Sequence, residues 1–281
     1  MSGTLLSLGH GYSARALARS LVPQGWTIYG TTRSDAKLAE FEAEGVTPLL
    51  LGRDDLAQAI GASTHLLASA APTEAGDPFL STHADALSQR GFQWAGYLST
   101  TGVYGDHDGA WVDETAPLTP ATHRGRMRVR AEADWQALGL PLHIFRLAGI
   151  YGPGRGPFAK VRGGTARRII KTGQVFSRIH VDDIAQVLAA SIARPRPGAI
   201  YNVCDNDPAP PEDVIGHAAE LLGLPLPPAI PFEDAEMTPM ARSFYAESKR
   251  VRNDLIRGEL GVDLLYPSYR DGLKALLAAE S

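Results

Sequence analysis

The chain has 281 residues, of which 44% are hydrophobic and 21% charged, with a net charge of −4 and one cysteine. This length and composition predict one large α/β domain, alone or with a small cap, and the negative charge argues against a general nucleic-acid-binding protein. The single cysteine, Cys204, excludes an internal disulfide and a metal site built on cysteines.

The apolar segments bear on the cellular location of the protein. No basic leader or small-residue cleavage site precedes Gly9, and no window approaches the roughly 18 apolar residues that a membrane span needs. We therefore expect a soluble cytoplasmic protein with no membrane partner. The eight histidines lack the short spacings of a metal site, so no bound metal is expected.

The first half alternates short apolar runs with helical patterns, which predicts a doubly wound parallel sheet of about seven strands. The predicted strands are Thr4 to Leu8, Trp26 to Thr31, Thr47 to Leu51, His65 to Ser69, Phe92 to Leu98, Leu142 to Leu147 and Ile200 to Val203. Helices are predicted around Ala14 to Leu21, Asp35 to Glu44, Asp77 to Arg90 and Asp183 to Arg194.

Segments rich in proline and glycine interrupt this alternation later in the chain. We therefore predict a dinucleotide-binding domain from residues 1–148 and about 178–204, with a smaller cap from about 149–177 and 205–281. The first cap segment has no acidic residue between Gly154 and Val181. It is either a solvated basic surface or a pocket wall for an anionic substrate.

Residues Gly9-His10-Gly11-Tyr12-Ser13-Ala14 form a G-x-G-x-x-A turn between a predicted strand and a predicted helix. In this setting the first glycine allows the turn, the second lets a pyrophosphate approach, and the small alanine lets helix and strand pack. The helix N-terminus then offers free N–H groups to phosphates. The residues predicted to bind the cofactor here are Gly9, His10, Gly11, Tyr12 and Ala14, and the alternative is a purely structural turn.

The end of the second strand predicts which nicotinamide cofactor binds. It reads Thr31-Thr32-Arg33 and has no carboxylate for the ribose hydroxyls that an NAD site holds. Arg33 is suited to a 2′-phosphate, so NADP is preferred over NAD, with Thr32 beside it. Ser69, at the end of the fourth predicted strand, completes the predicted cofactor site.

Several later motifs follow one another in a recognisable order. They are Leu98-Ser-Thr-Thr-Gly-Val-Tyr-Gly105, Val112-Asp-Glu-Thr-Ala-Pro-Leu-Thr-Pro120, Arg146-Leu-Ala-Gly-Ile-Tyr-Gly-Pro-Gly-Arg155, His180-Val-Asp-Asp183 and Ser248-Lys-Arg. Together they resemble the extended short-chain dehydrogenase/reductase family, also called the NAD-dependent epimerase/dehydratase family. The resemblance covers nearly the whole chain and implies a Rossmann domain with a C-terminal substrate-binding cap.

The resemblance also implies an active site with one departure from the family pattern. Thr100 stands where a Ser or Thr polarises the substrate oxygen, but Arg124 and Arg128 replace the tyrosine and lysine of the Tyr-x-x-x-Lys pair. Arg128 can keep the lysine's contact with the nicotinamide ribose. Arg124 cannot exchange a proton near neutral pH, because a guanidinium keeps its proton throughout that range.

Arg124 and Arg128 are four residues apart and share a helix face, which would favour a substrate carboxylate or phosphate unless that face is merely solvated. If hydride transfer survives, another group must supply the proton. His123, beside the lost tyrosine, is the first candidate because histidine titrates near neutral pH. Tyr104 and Tyr151 lie in the family motifs and are further candidates.

Two functional hypotheses remain open on the sequence. The first is an NADP-dependent oxidoreductase or epimerase-like enzyme with a small anionic, carbonyl or sugar-like substrate. The second is a non-catalytic nicotinamide-nucleotide sensor that kept the pocket and lost turnover. The protein could be a monomer or a homodimer under either hypothesis. A homodimer that used the start of this helix would bring together the four arginines from Arg124 to Arg130, which repel each other unless acidic residues face them.

Overall fold

The fold is described for residues 2–280 in a computed structural model. Its strands are β1 Thr4–Leu8, β2 Thr27–Thr32, β3 Thr47–Leu50, β4 His65–Ala68, β5 Trp94–Thr100, β6 Trp111–Val112, β7 Leu142–Leu147, β8 Gly149–Tyr151, β9 Arg168–Ile170, β10 Arg178–His180, β11 Ile200–Val203, β12 Ala229–Pro231 and β13 Arg250–Val251. Its α-helices are α1 Tyr12–Leu21, α2 Leu38–Ala43, α3 Ala57–Ala62, α4 Leu80–Gln89, α5 His123–Gln136, α6 Phe158–Arg162, α7 Val181–Ala193, α8 Pro211–Leu221, α9 Pro239–Phe244, α10 Asp254–Gly258 and α11 Tyr269–Ala279.

Seven of these strands form one parallel sheet in the order β11-β7-β5-β4-β1-β2-β3. The chain starts at β1 in the interior, winds outward through β2 and β3, then returns through β4 to build the other half. Crossover helices between parallel strands produce this arrangement, and the order reverses beside β1. The prediction of a doubly wound Rossmann-type sheet is confirmed.

Both faces of the sheet are covered by helices, which explains why the inner strands β4, β5 and β7 are buried along nearly their whole length. On one face α1 and α7 pack against each other, and Leu17 and Val187 are fully buried in the cluster between them and the sheet. On the other face Ile60, Leu87 and Trp135 bring α3, α4 and α5 onto the sheet. The site-forming helix α5 is therefore fixed along its inner side.

The cap is built around α6, α8 and α11, whose buried side chains form a separate apolar cluster. Outside the main sheet there are three pairs of short parallel strands: β8 with β10, β9 with β12, and β6 with β13. These pairs join distant segments, since Arg250 aligns with Trp111 and Ala229 with Arg168. The predicted domain boundaries at 148, 178 and 204 stay a prediction.

Helix α7 is capped by a histidine and not by either of the two aspartates in its first turn. The N-cap residue is His180, whose Nδ1 accepts a hydrogen bond from the Asp182 amide at 3.2 Å. Asp183 instead points inward and accepts bonds from the amides of Leu265 and Tyr266. Burial raises the pKa of the Asp183 carboxyl to about 6. The family motif therefore ties α7 to the C-terminal segment.

Two features are absent from the described residues, 2–280. No helix there is both long and apolar enough to cross a membrane. No group of three or more histidine, cysteine or acidic side chains there is arranged to hold a metal ion. Cys204 is buried, and its thiol donates to the carbonyl of Val251.

Candidate active site

The glycine turn after β1 is held by contacts that only glycine permits at its first position. Gly9 has a φ of +80°, and a Cβ there would lie 2.8 Å from the amide nitrogen of Ala70. Its own N–H donates to Thr31 Oγ1 at 2.7 Å, and the N–H of His10 donates to the Thr31 carbonyl at 3.1 Å. The turn is therefore fastened to β2 on one side and to the end of β4 on the other.

Gly11 differs from Gly9, because nothing in the protein itself requires a glycine there. Its φ is −104°, and the nearest atom to an added Cβ is the Gly9 carbonyl oxygen at 3.6 Å. The space outside this residue is thus open. It lies at the N-cap of α1, where the first-turn N–H groups have no partners within the helix. This is the cradle into which a pyrophosphate would fit.

The other side chains predicted to bind the cofactor here have partners within the protein. His10 is buried against the edge of the Phe41 ring, with Nδ1 2.9 Å from Ser7 Oγ, so its contribution to a cofactor is limited to its backbone. Burial lowers the pKa of His10 to about 4. Ser69 Oγ donates to the Gly9 carbonyl at 2.5 Å and so supports the turn. Ala14 is buried in the core under α1.

Tyr12 connects the glycine turn to the cap. Its hydroxyl donates to the Pro153 carbonyl at 2.9 Å, and the Arg155 guanidinium lies over its ring at 4.6 Å. A Cβ on Gly152 would approach the Tyr12 hydroxyl to 2.5 Å, so this loop passes directly over the start of α1. The Tyr12 side chain therefore lies at one end of the predicted cofactor crevice, which is the space outside the glycine turn and the carboxyl ends of the central strands.

The end of β2 presents Arg33 to solvent. Thr32 is buried and its Oγ1 accepts from the Ser34 amide at 3.1 Å, which turns the chain sharply after the strand. Arg33 is exposed, and no ion pair forms at it within residues 2–280. The neighbouring Arg53, in contrast, is paired with Asp54 at 2.8 Å. The predicted phosphate-binding arginine is thus free to meet a ligand.

Thr100 is the last residue of β5, where the sheet edge opens into the crevice. The residue is half-buried, and its Oγ1 accepts a bond from the Gly102 amide at 3.1 Å. A short 3₁₀ turn, Thr101–Tyr104, follows at once. The hydroxyl proton remains available for donation, since this bond uses the oxygen as an acceptor.

Arg128 is tied to the ends of two neighbouring strands. Its Nη1 donates to the Leu98 carbonyl at 2.8 Å and to the Tyr97 hydroxyl at 3.0 Å, and it lies 3.4 Å from the Ala70 carbonyl. Ala70 also abuts Gly9, so Arg128 and the glycine turn share one neighbour. The guanidinium is half-buried and holds a fixed positive charge at the carboxyl ends of β4 and β5.

Arg124 lies one helical turn before Arg128 but in a different setting. It is exposed, and its guanidinium lies over the ring of Phe244 at 5.3 Å to the centroid. Next to it, His123 is exposed and its Nε2 is 3.6 Å from Glu74 Oε1. The two sequence candidates thus lie at the outer rim of the crevice, whereas Arg128 is set deeper.

The start of α5 is fixed by a side-chain cap and by a close backbone approach. Thr122 caps the helix through Oγ1, which accepts from the Gly125 amide at 3.1 Å. A Cβ on Gly125 would lie 2.8 Å from the Gly102 carbonyl, so the helix passes close to the turn that follows Thr100. Deeper in the core, Glu132 and Arg146 form a buried two-bond ion pair at 2.8 and 3.2 Å.

Two tyrosines proposed as substitute proton donors do not reach the crevice. Tyr104 is fully buried, its hydroxyl donates to Asn202 Oδ1 at 2.7 Å, and burial raises its pKa to about 12. Burial likewise raises the pKa of Tyr151, whose hydroxyl points to the Ser268 carbonyl at 3.4 Å. Both candidates are therefore corrected, because a buried and hydrogen-bonded phenol cannot meet a substrate.

The basic segment of the cap mostly holds the cap together. Arg178 Nη1 donates to the carbonyls of Phe176 and Ala209, and Lys171 donates to the Tyr245 carbonyl. Arg162 pairs with Glu280 at 2.6 Å. These three side chains match neither interpretation of the segment. They are not freely solvated, as a basic surface would be, and they are not gathered in one pocket, as a wall for an anionic substrate would be.

Phe244 is the neighbour of the site that sequence reasoning missed. It ends α9, more than a hundred residues after Arg124, and lies against that arginine through the fold alone. No spacing rule connects the two positions. The run Arg242-Ser-Phe-Tyr245 before the Ser248-Lys-Arg motif was the only local signal, as aromatic residues beside a cap landmark.

No model of a known protein family matches the chain. Among solved structures it is similar to a functionally unknown conserved protein from Silicibacter pomeroyi DSS, at 63% identity over 99% of both chains with a TM-score of 0.94. The two belong to one family. A putative NAD-dependent epimerase/dehydratase from Methylobacillus flagellatus is 27% identical over 99% and 98% of the chains, with a TM-score of 0.71. In fold, the chain resembles structures of the NAD-dependent epimerase/dehydratase type.

More distant structures have the same fold in complex with nicotinamide cofactor. One is MoeE5 with UDP-glucose and NAD, at 18% identity over 98% and 97% of the chains and a TM-score of 0.77. Two named proteins also align with nearly the whole chain in sequence. Protein YeeZ of Escherichia coli K12 is 28% identical, covering 92% of this chain and 95% of its own. A 3-diazoavenalumate denitrifying reductase of a Streptomyces species is 27% identical, covering 96% and 93%.

Proposed function

We propose that this protein is an NADP-dependent oxidoreductase, with epimerase-like ancestry, that acts on a small anionic carbonyl or sugar-like substrate. One observation carries the proposal. The glycine turn, Ala70, Arg128 and the end of β5 are joined by direct contacts at one edge of the sheet. This edge is where ligands bind in open α/β sheets.

The cofactor side of the proposal is supported by space and charge. Gly11 leaves room for a pyrophosphate at the N-terminus of α1, although the protein itself would accept a larger residue. Arg33 is unpaired among the described residues and suits the 2′-phosphate of NADP. Related folds in complex contain NAD, so the preference for NADP depends on Arg33.

In the proposed reaction a bound nicotinamide supplies the hydride, and the chain positions the acceptor. Thr100 donates its hydroxyl proton in a hydrogen bond to the substrate oxygen, while its own oxygen stays bonded to the Gly102 amide. Arg128 provides a fixed cation that stabilises negative charge without exchanging a proton. With no tyrosine at position 124, we propose that solvent water at the open rim supplies the final proton.

This arrangement favours reduction over epimerisation within the proposal. Epimerisation at one carbon requires a proton to be removed and later returned by the same group, which the tyrosine does in the family pattern. Reduction needs only one proton, and water can deliver it. The relative from Streptomyces is named a reductase, which also favours reduction.

The test measures the rate of NADPH oxidation with a panel of carboxylates that carry a carbonyl group or a conjugated double bond. The rate of the unsubstituted protein is compared with that of Thr100→Val. We expect turnover to fall about a hundredfold in Thr100→Val while the NADPH dissociation constant stays unchanged. Equal turnover would remove Thr100 from the mechanism. NADPH binding without turnover on any compound would favour the alternative of a nucleotide sensor.

A second variant tests the cofactor preference separately. Arg33→Glu should weaken NADPH binding by about tenfold or more and leave NADH binding unchanged or stronger, because the variant repels only the 2′-phosphate. Arg53→Glu is the matched control, since that arginine is already paired with Asp54. An equal effect of Arg33→Glu on both cofactors would contradict the assignment of NADP.

A further inference from the structure

Helix α9 presents an apolar face beside the start of α5. Met240 and Phe244 are one turn apart on this helix and are 63% and 53% exposed. The polar side chains of α9 are engaged elsewhere: Ser243 Oγ donates to the Met240 carbonyl and Arg242 donates to the Ala235 carbonyl, each at 2.7 Å. The outward face therefore offers carbon atoms and few hydrogen-bonding groups.

This face is held in place from behind. The Tyr245 ring packs on the rings of Phe176 and Phe232, with centroids 5.6 and 5.2 Å away. Two residues further, Glu247 Oε1 accepts from the Ala121 amide at 3.2 Å, directly before α5. Because the residues that directly follow Phe244 are anchored in this way, its ring is held at the end of α9 in an exposed position.

Arg124 is the free cation among the four arginines at the start of α5. Arg126 donates to the Ala121 carbonyl at 2.9 Å, Arg128 is bound to the strand ends, and Arg130 lies 3.8 Å from Asp134. Within residues 2–280, Arg124 makes no ion pair and its ring contact is with Phe244. Its five N–H donors thus remain available for an anion.

The chemistry of this pair selects between substrate classes. A guanidinium binds a carboxylate through two parallel hydrogen bonds, with the planar group held in one orientation. Carbon-rich groups gain free energy by covering Phe244 and Met240, whereas sugar hydroxyls placed there would lose hydrogen bonds to water. An arene also gains from stacking with the phenyl ring.

We infer that Arg124 and Phe244 determine substrate specificity, and that they recognise a carboxylate attached to an aromatic or other flat, conjugated group. Arg124 binds the carboxylate and Phe244 covers the apolar part, at the position where the family tyrosine would face a sugar hydroxyl. This inference rests on the proposed function for the identity of the site, and narrows its substrate class from anionic compounds in general to aryl or conjugated carboxylates.

The experiment measures binding by isothermal titration calorimetry to the full chain, with and without saturating NADP. Benzoate and trans-cinnamate are the probes, their neutral amides are the matched ligands, and UDP-glucose represents nucleotide sugars. The variants are Arg124→Gln, Phe244→Ala and, as the control on the same helix, Arg130→Gln. Circular dichroism verifies that each variant is folded.

We expect at least one acid to bind about tenfold or more tightly than its amide, and tighter than UDP-glucose. Arg124→Gln should abolish the difference between acid and amide, Phe244→Ala should weaken both, and Arg130→Gln should change neither. The inference is overturned if neither acid is preferred over its amide, if Arg124→Gln leaves the preference intact, or if UDP-glucose binds more tightly than both acids.

The two levels of the proposal fail in different ways. Loss of the acid preference while NADPH still binds overturns the specificity inference alone. Absence of NADPH binding overturns the proposed function, while an acid preference that depends on Arg124 in the cofactor-free protein would still support the carboxylate site.

Discussion

The glycine turn after β1 and the start of α5 meet at Ala70, yet they are constrained in opposite ways. At the turn the backbone is decisive: Gly9 has a left-handed conformation and touches Ala70 with no room for a Cβ. At α5 the buried side chains fix the helix, while side chains on its open face have fewer partners. Gly125 packs on the turn after Thr100, and Arg124 and Arg128 extend from the same helix into different surroundings.

This difference shows that the glycine turn tolerates fewer substitutions than the open face of α5. The crevice depends on close backbone approaches that most substitutions would destroy. Arg124 and Arg128 project from a helix that is fixed by its buried side, mainly through Glu132 and Trp135. Side chains on the open side of that helix can therefore be exchanged at little cost to stability.

The largest expected effect separates the buried side of α5 from its open side. Glu132→Ala leaves the Arg146 guanidinium buried without its partner and should lower the free energy of unfolding by about 3 to 5 kcal/mol. Asp134→Ala, on the exposed side, removes only the contact with Arg130 and should cost less than about 1 kcal/mol. Urea unfolding measures both. Similar losses would show that α5 is not held from its buried side.

The next effect separates the two glycines of the turn. Gly9→Ala should lower the free energy of unfolding by about 2 to 4 kcal/mol, since the left-handed conformation costs 1 to 2 and the contact with Ala70 adds to it. Gly11→Ala should change the same quantity by less than about 1 kcal/mol. Thermal unfolding followed by circular dichroism decides, and an equal cost at both positions would contradict the contrast between them.

The buried histidine of the turn should make stability depend on pH. Its folded pKa is about 4, so the unfolded state binds the proton first as pH falls below about 6.5. This contribution to the free energy of unfolding is present at pH 7 and is lost progressively from about pH 6.5 down to 4. About 2 kcal/mol has been lost at pH 5. His10→Leu should therefore flatten the pH dependence of the urea midpoint. A slope as steep as that of the unsubstituted protein would mean that His10 is not buried neutral.

The smallest expected effect concerns the two arginines of α5. Arg128→Lys should cost about 1 kcal/mol, because one ammonium replaces a planar fork bound to the Leu98 carbonyl and the Tyr97 hydroxyl. Arg124→Lys should leave the free energy of unfolding unchanged within about 0.5 kcal/mol, since no hydrogen bond is lost. A larger cost at Arg124 would show that its contact with Phe244 is structural.

The sheet could be predicted because it depends on local patterns. Runs such as Leu142 to Leu147 and the turn at Gly9 carry period, length and glycine spacing in a few adjacent residues. Short pieces were harder: helix α3, Ala57–Ala62, has only six residues and was not predicted. Strand β5 runs on to Thr100, two residues beyond the predicted end at Leu98, because it pairs with β7 along its whole length.

The sequence proposes candidate site residues that share one motif, and it misses the neighbour that only the fold brings to them. Arg124 and Arg128 follow from a single register of α5. Phe244 reaches Arg124 only through the packing of the cap, and the partners of Arg128 are backbone carbonyls, which every residue has. Tyr104 and Tyr151 were candidates because their motifs lie near the site, but burial turned both hydroxyls toward the interior.

The most direct measurement titrates NADPH into the protein and into Gly11→Val by calorimetry, with urea unfolding of both. The cofactor crevice as described predicts that the protein binds NADPH, that Gly11→Val weakens binding by about tenfold or more, and that both unfold at the same urea concentration. Equal NADPH affinity in the two proteins, or no binding to either, would contradict the claim that this turn holds a nicotinamide cofactor.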